Sequence, residues 1–241
     1  MTFARLARVL VALAVALSLA SAAPDARAQA PKAAETALVG DLVLLRGRLI
    51  AARELYLFVH DKDAAMRHLG SQLNGRIASI ERNGGRPSDA KAVQAAVGAL
   101  TKVVEAGGGF NAFEAAYGRA MAATIRAEGA VPKDRLASPA FVIAVLAEVV
   151  DHAAGDYKVA VKDGKIGILK EYEEIFGYDI AAVRFARRLG GKGGPLASPR
   201  MREDLAMLER AVPSPVPPTS FATTQETFSA IAERLKAAAK S

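Results

Sequence analysis

The chain has 241 residues, a formal net charge of +7 and no cysteine. Without cysteine there are no disulfides, thiol nucleophiles or thiolate metal sites, so packing alone must hold the fold. The basic residues are interspersed with acidic ones instead of clustered, which argues against a nucleic-acid-binding surface.

Residues 1–28 read as a secretory leader. Arg5 and Arg8 supply a positive start, Val9 to Ala20 is apolar apart from Ser18, and Ala26-Arg27-Ala28 has the small-residue pattern of a cleavage site. Cleavage after Ala28 leaves Gln29 as the new N-terminus, with Ala22 as the competing position. The apolar run is shorter than the about 20 residues a spanning helix requires, and no later segment is apolar and long enough to cross a membrane. The mature chain is therefore expected in a bacterial periplasm.

Beyond the leader, apolar residues recur at helical spacing. The expected fold is all-α: an antiparallel helical bundle of about six core helices over 29–190, plus a C-terminal helical pair over 191–241, joined by a proline-rich linker and packed on the same domain.

In chain order, the first helix is expected from Ala34 to Val59, with Leu38, Leu42, Leu45, Leu49, Tyr56 and Val59 on one stripe. Asp61 caps a second helix that carries Met66, Leu69, Leu73, Ile77 and Ile80 inward and stops at Asn83-Gly84-Gly85. Pro87-Ser88 opens a third, packed through Val93, Val97, Leu100 and Val104. Asn111 caps a fourth, with Phe113, Tyr117, Met121 and Ile125 facing the core. Ser138-Pro139 starts a fifth helix running to about Val161, the serine hydroxyl capping and the proline losing no needed hydrogen bond. Asp163-Gly164 turns the chain into a sixth, Ile168 to Leu189, and Gly190 to Pro195 marks a boundary. Ser198-Pro199 opens a shorter helix to about Val212. An extended Pro213 to Pro218 linker leads to a last helix, capped by Thr223 with Glu226 and carrying Phe228, Ile231 and Leu235.

Chemistry-bearing residues concentrate on the fifth and sixth helices. Glu148, His152 and Asp156 recur at i, i+4, i+8 on the shoulder of an apolar face, and Glu171 and Glu174 stand at i, i+3 on the next helix. Imidazole and carboxylates on facing helices are the donor types that hold an iron, copper or zinc ion in bundle metal sites. The same spacing also stabilises a plain helix surface. His60 and His68 flank the capping Asp61, which separates them onto different helices, and both are expected at the surface. No Gly-x-Ser-x-Gly elbow or Ser-x-x-Lys motif occurs in the mature chain. Gly107 to Gly109 lacks the preceding strand and following Gly-Lys-Ser/Thr of a phosphate loop, so it reads as a connection. The expected protein is not an enzyme.

The block from Asp151 to Ile166, followed by Glu171-Tyr172-Glu173-Glu174, resembles part of the soluble helical region attached to bacterial Ftr-type iron permeases. The resemblance rests on Asp156-Tyr157, Ala160-Val161, Asp163-Gly164 and Glu171 to Glu174. Gly47, Arg53 to Tyr56, Ala64-Ala65 and His68 are similar to the same region. The chain departs from the family pattern in having no permease membrane helices and no haem-attachment Cys-x-x-Cys-His. The resemblance implies a stand-alone helical module that handles or senses a metal. The other expectation is an envelope interaction or scaffold module, docking on a protein partner through Phe228, Ile231 and Leu235.

Overall fold

A computed structural model describes residues 32–70, 72–189, 198–221 and 223–240. The leader with its cleavage site, and the Gly190 to Pro195 boundary, lie outside the described residues. The helices are α1 (Ala33–Glu54), α2 (Lys62–Leu69), α3 (Gln72–Arg82), α4 (Pro87–Glu105), α5 (Phe110–Ala127), α6 (Lys133–Leu136), α7 (Pro139–Ala160), α8 (Leu169–Leu189), α9 (Pro199–Ala211) and α10 (Gln225–Ala238). The fold is all-α apart from a two-residue ladder joining α7 to α8, formed by β1 (Val161–Lys162) and β2 (Lys165–Ile166). No described helix is long and apolar enough to cross a membrane.

α1 is the central element. Instead of a single stripe, it is buried on all sides from Leu42 to Ala52, including Arg46 and Arg48. It packs against α8, α7, α5, α2 and α3. A helix enclosed by neighbours needs apolar residues around its whole circumference, and Val39, Val43, Leu44 and Ile50 supply them. Two glycines set its closest approach: a Cβ on Gly47 would lie 2.5 Å from the Tyr178 ring, and one on Gly177 would overlap the Gly47 carbonyl.

α1 ends in a π-turn (Leu55–Val59) that His60 terminates in the left-handed conformation, at φ 60°. The Asp61 carboxylate then accepts from Ala64 N at 2.7 Å, as the sequence predicts for a cap. The predicted second helix is two helices, because Gly70 adopts extended backbone between α2 and α3. Gly109, not Asn111, occupies the cap position of α5, and neither it nor Ser138 makes a side-chain capping bond. Ile125 is 41% exposed instead of core-facing. Asp163 and Gly164 both take positive φ, the two-residue turn that matches strand twist in a tight hairpin.

α9 packs on α8, and α10 lies along α7. Phe228, Ile231 and Leu235 are 0–1% exposed, with the Phe228 ring 5.0 Å from Tyr157. The face expected to dock on a partner is thus consumed by the chain's own core. The cap of α10 is Thr224, one residue later than Thr223. Arg234 donates to both Asp204 oxygens, at 3.1 and 2.6 Å, and ties α10 to α9.

Candidate metal centre

The Asp163-Gly164 turn folds α8 back along α7, so residues near the end of one helix face residues near the start of the next. That geometry brings Asp156 of α7 to Glu171 and Glu174 of α8, with one carboxylate oxygen of each inside a 4.8 Å span. His152, one turn before Asp156, places Nε2 3.5 Å from Asp156 Oδ2. Four of the five predicted residues therefore share one neighbourhood. Glu148 stands apart. Eight residues at 1.5 Å rise put it roughly 12 Å from Asp156 along the helix, with its carboxyl over Gly40, where an added Cβ would come within 3.0 Å.

Each acid has a different environment. Glu174 is fully buried and accepts from Arg48 Nη2 at 2.8 Å and Tyr178 Oη at 2.7 Å. Lys170 Nζ lies 2.7 Å from its other oxygen and 3.3 Å from Glu171. Burial disfavours the Glu174 charge, but the His68 contact, Arg48, Lys170 and Tyr178 outweigh it and hold the carboxyl well below the usual carboxylate range. Asp156 behaves oppositely: burial, then the negative Glu171 and Glu174, push its pKa up to about 7. Its Oδ2 has no hydrogen-bond partner among the described residues. Burial and Asp41 raise Glu148 to about 6.

His152 is held neutral. Burial first, then Arg76, lower its pKa to about 4. Arg76 Nη2 donates to its Nε2 at 2.6 Å, so the ring proton belongs on Nδ1, and Arg76 Nη1 donates to Asp41 at 3.2 Å. A metal at His152 Nε2 requires Arg76 to move.

His68 was expected at the surface and is instead completely buried. Its Nε2 donates to Glu173 at 2.8 Å, and Nδ1 points to Glu174 Oε1 at 3.7 Å. Burial alone would favour the neutral ring; the contacts with Glu173 and Glu174 outweigh it and raise the His68 pKa. Sequence spacing places His68 within a longer second helix; in the structure it stands in the last turn of the short α2, and packing of α2 on α8 brings it to the acids. Arg48, Tyr178 and Lys170 were likewise not singled out. Their signal was weak: an arginine inside an apolar helix, and a tyrosine and a lysine each four residues from Glu174.

The fold and site define an all-α bundle protein with a carboxylate-histidine cluster between two hairpin-linked helices. Residues 132–241 match the model of the iron permease-associated 4-helix bundle domain, which relates the chain to the Ftr-type iron permeases over a little under half its length and points to an iron-related function. No curated protein and no solved structure matches the chain. The matched segment contains Glu148, His152, Asp156, Glu171 and Glu174, whereas Arg48, His68 and Arg76 enter the network from outside it.

Proposed function

We propose that the protein is an exported, non-enzymatic periplasmic bundle that binds or handles iron or a similar transition-metal ion, with Asp156, Glu171 and Glu174 as the ligand core and His152 beside them. The observation that carries this reading is the convergence of Asp156, Glu171 and Glu174, one oxygen of each within a 4.8 Å span, with Asp156 Oδ2 lacking a hydrogen-bond partner among the described residues. Burial first, and then the two neighbouring carboxylates, push the Asp156 pKa up to about 7, and a divalent or ferric cation relieves that crowding. Three carboxylate oxygens are donors that suit a hard cation, and the His152 imidazole, a donor for iron, copper or zinc, joins them when Arg76 leaves its Nε2. Glu148, on the same helix as Asp156, serves as an outer acidic group with Asp41 of α1.

The test is the thermal stability of mature protein with Fe, Cu and Zn salts, because a ligand that binds only the native state stabilises it. An increase in Tm with iron, absent in Asp156→Asn and reduced in His152→Ala, supports the reading. Equal Tm values with and without every metal refute it.

A further inference from the structure

The two oxygens of Glu174 are not equivalent. Oε2 accepts from Arg48 Nη2 at 2.8 Å and from Tyr178 Oη at 2.7 Å. Both donors are enclosed, Arg48 at 7% exposure and Tyr178 at 0%. Oε1 has Lys170 Nζ at 2.7 Å, while its other neighbour, His68 Nδ1, stands off at 3.7 Å. A metal ion that binds Glu174 with the Arg48 and Tyr178 contacts intact must therefore take Oε1, the oxygen that Lys170 holds.

Lys170 Nζ also lies 3.3 Å from Glu171 Oε1. One ammonium thus bridges two of the three carboxylates of the candidate metal centre, and the third, Asp156, keeps Oδ2 without a hydrogen-bond partner among the described residues. The lysine differs from Arg48 in freedom of movement. Its side chain is 19% exposed and starts in the first turn of α8, so the amine can swing to water on a flexible stem, whereas Arg48 leaves α1 inside the bundle. Charge decides which ions can replace it. A sodium or potassium ion carries no more charge than the tethered ammonium and gains nothing by the exchange, whereas a divalent or ferric ion brings a stronger attraction to the same carboxylates.

Resting on the metal-centre reading above, we infer that Lys170 is the resident cation of the site: it occupies the Glu171 and Glu174 carboxylates in the metal-free protein, a multivalent ion must displace it to bind, and its competition sets the affinity and excludes monovalent ions. Lys170 and Glu174, at i and i+4, also form a pair that merely stabilises a helix, and iron affinity separates the two roles.

The mature full chain, Lys170→Met and Lys158→Met are titrated anaerobically with ferrous chloride by calorimetry. Lys158 is exposed on the last turn of α7, two residues from Asp156, and its replacement removes the same charge without freeing Glu174 Oε1. Lys170→Met is expected to bind iron at least about tenfold more tightly than wild type, since no charge-assisted contact has to be broken first. Lys158→Met should change the affinity less than about threefold, as an exposed charge screened by solvent. In the wild-type chain, acetylation of Lys170 by acetic anhydride, followed by peptide mass spectrometry, should accelerate with saturating ferrous iron and not with added sodium chloride. An affinity in Lys170→Met no higher than wild type, an equal gain in Lys158→Met, acetylation that iron does not accelerate, or acceleration by sodium as strong as by iron each overturns the inference, while iron binding by wild type leaves the metal-centre reading standing. Absence of iron binding in both wild type and Lys170→Met refutes the two together.

Discussion

Gly47 of α1 and Gly177 of α8 meet backbone to backbone, and this contact places Arg48 against Glu174 and Tyr178. A Cβ on Gly177 has no space to occupy, and the neighbour it meets is backbone, which cannot rotate away. Gly177→Ala should therefore destabilise the protein by roughly 1–3 kcal/mol or more through overpacking. Urea denaturation gives the value, and a variant as stable as wild type would mean that the two helices do not approach this closely.

Glu174 balances Arg48, and both side chains are buried. Glu174→Gln leaves that guanidinium buried without its counter-charge, for which a loss of about 3–5 kcal/mol is expected. Glu209, by contrast, meets Arg187 on an exposed surface, and Glu209→Gln should change stability by less than about 1 kcal/mol. The comparison is between denaturation midpoints of the two variants.

Asp156 supplies a pH dependence with a defined sign. Its folded pKa of about 7 lies above the ordinary 3.8, so the folded state holds the proton more tightly than the unfolded chain. The contribution is fully present below about pH 4 and is lost as pH rises towards 7. Glu148, raised to about 6, acts in the same direction. Asp156→Asn should accordingly gain stability relative to wild type between pH 4 and 7, with a constant difference above that range. Parallel stability curves would contradict the assignment.

Metal binding should follow the same group. The proton on Asp156 must leave before its carboxylate can bind a cation, so affinity should rise by about tenfold per pH unit below 7 and level off above it. His152 is already neutral throughout that range and adds no slope. Calorimetric titration with iron between pH 5.5 and 8 measures the slope, and an affinity that does not change with pH would contradict the assignment.

The C-terminal helix should prove to be core. Phe228→Ala opens a cavity against Tyr157, for which a loss of about 3–5 kcal/mol is expected. Deleting residues 213–241 would bare the α7 surface that α10 covers and should abolish cooperative unfolding. A truncated chain that still melts cooperatively would restore the interaction-module reading.

Local punctuation was legible in the sequence because it depends on neighbours a few residues away. Pro87, Pro139 and Pro199 open helices where expected, Asp61 caps α2, and Asp163-Gly164 makes the turn that joins α7 to α8. The separation of Glu148 from Asp156 also follows from helical rise alone. The burial of His68 did not, since a histidine in a short polar helix gives no sign of which helix will cover it. Arg46 and Arg48 carry a similar ambiguity: arginines within an apolar run can reach water or be enclosed, and only the arrangement of neighbours decides.

Periodicity and composition by themselves determined an all-α chain, the boundaries of most of its long helices to within a few residues though not the break at Gly70 or the short α6, and the carboxylate-histidine pattern on two successive helices. These are properties of local backbone preference and of side-chain spacing along one helix. The tertiary structure decided that α1 is enclosed on every side, that Glu174 is neutralised by Arg48 and Lys170 while the Asp156 pKa is pushed up, and that Arg46 and Arg188 share the buried Glu128. Charge state and burial are set by groups distant in sequence, and they acquire values only when the helices meet.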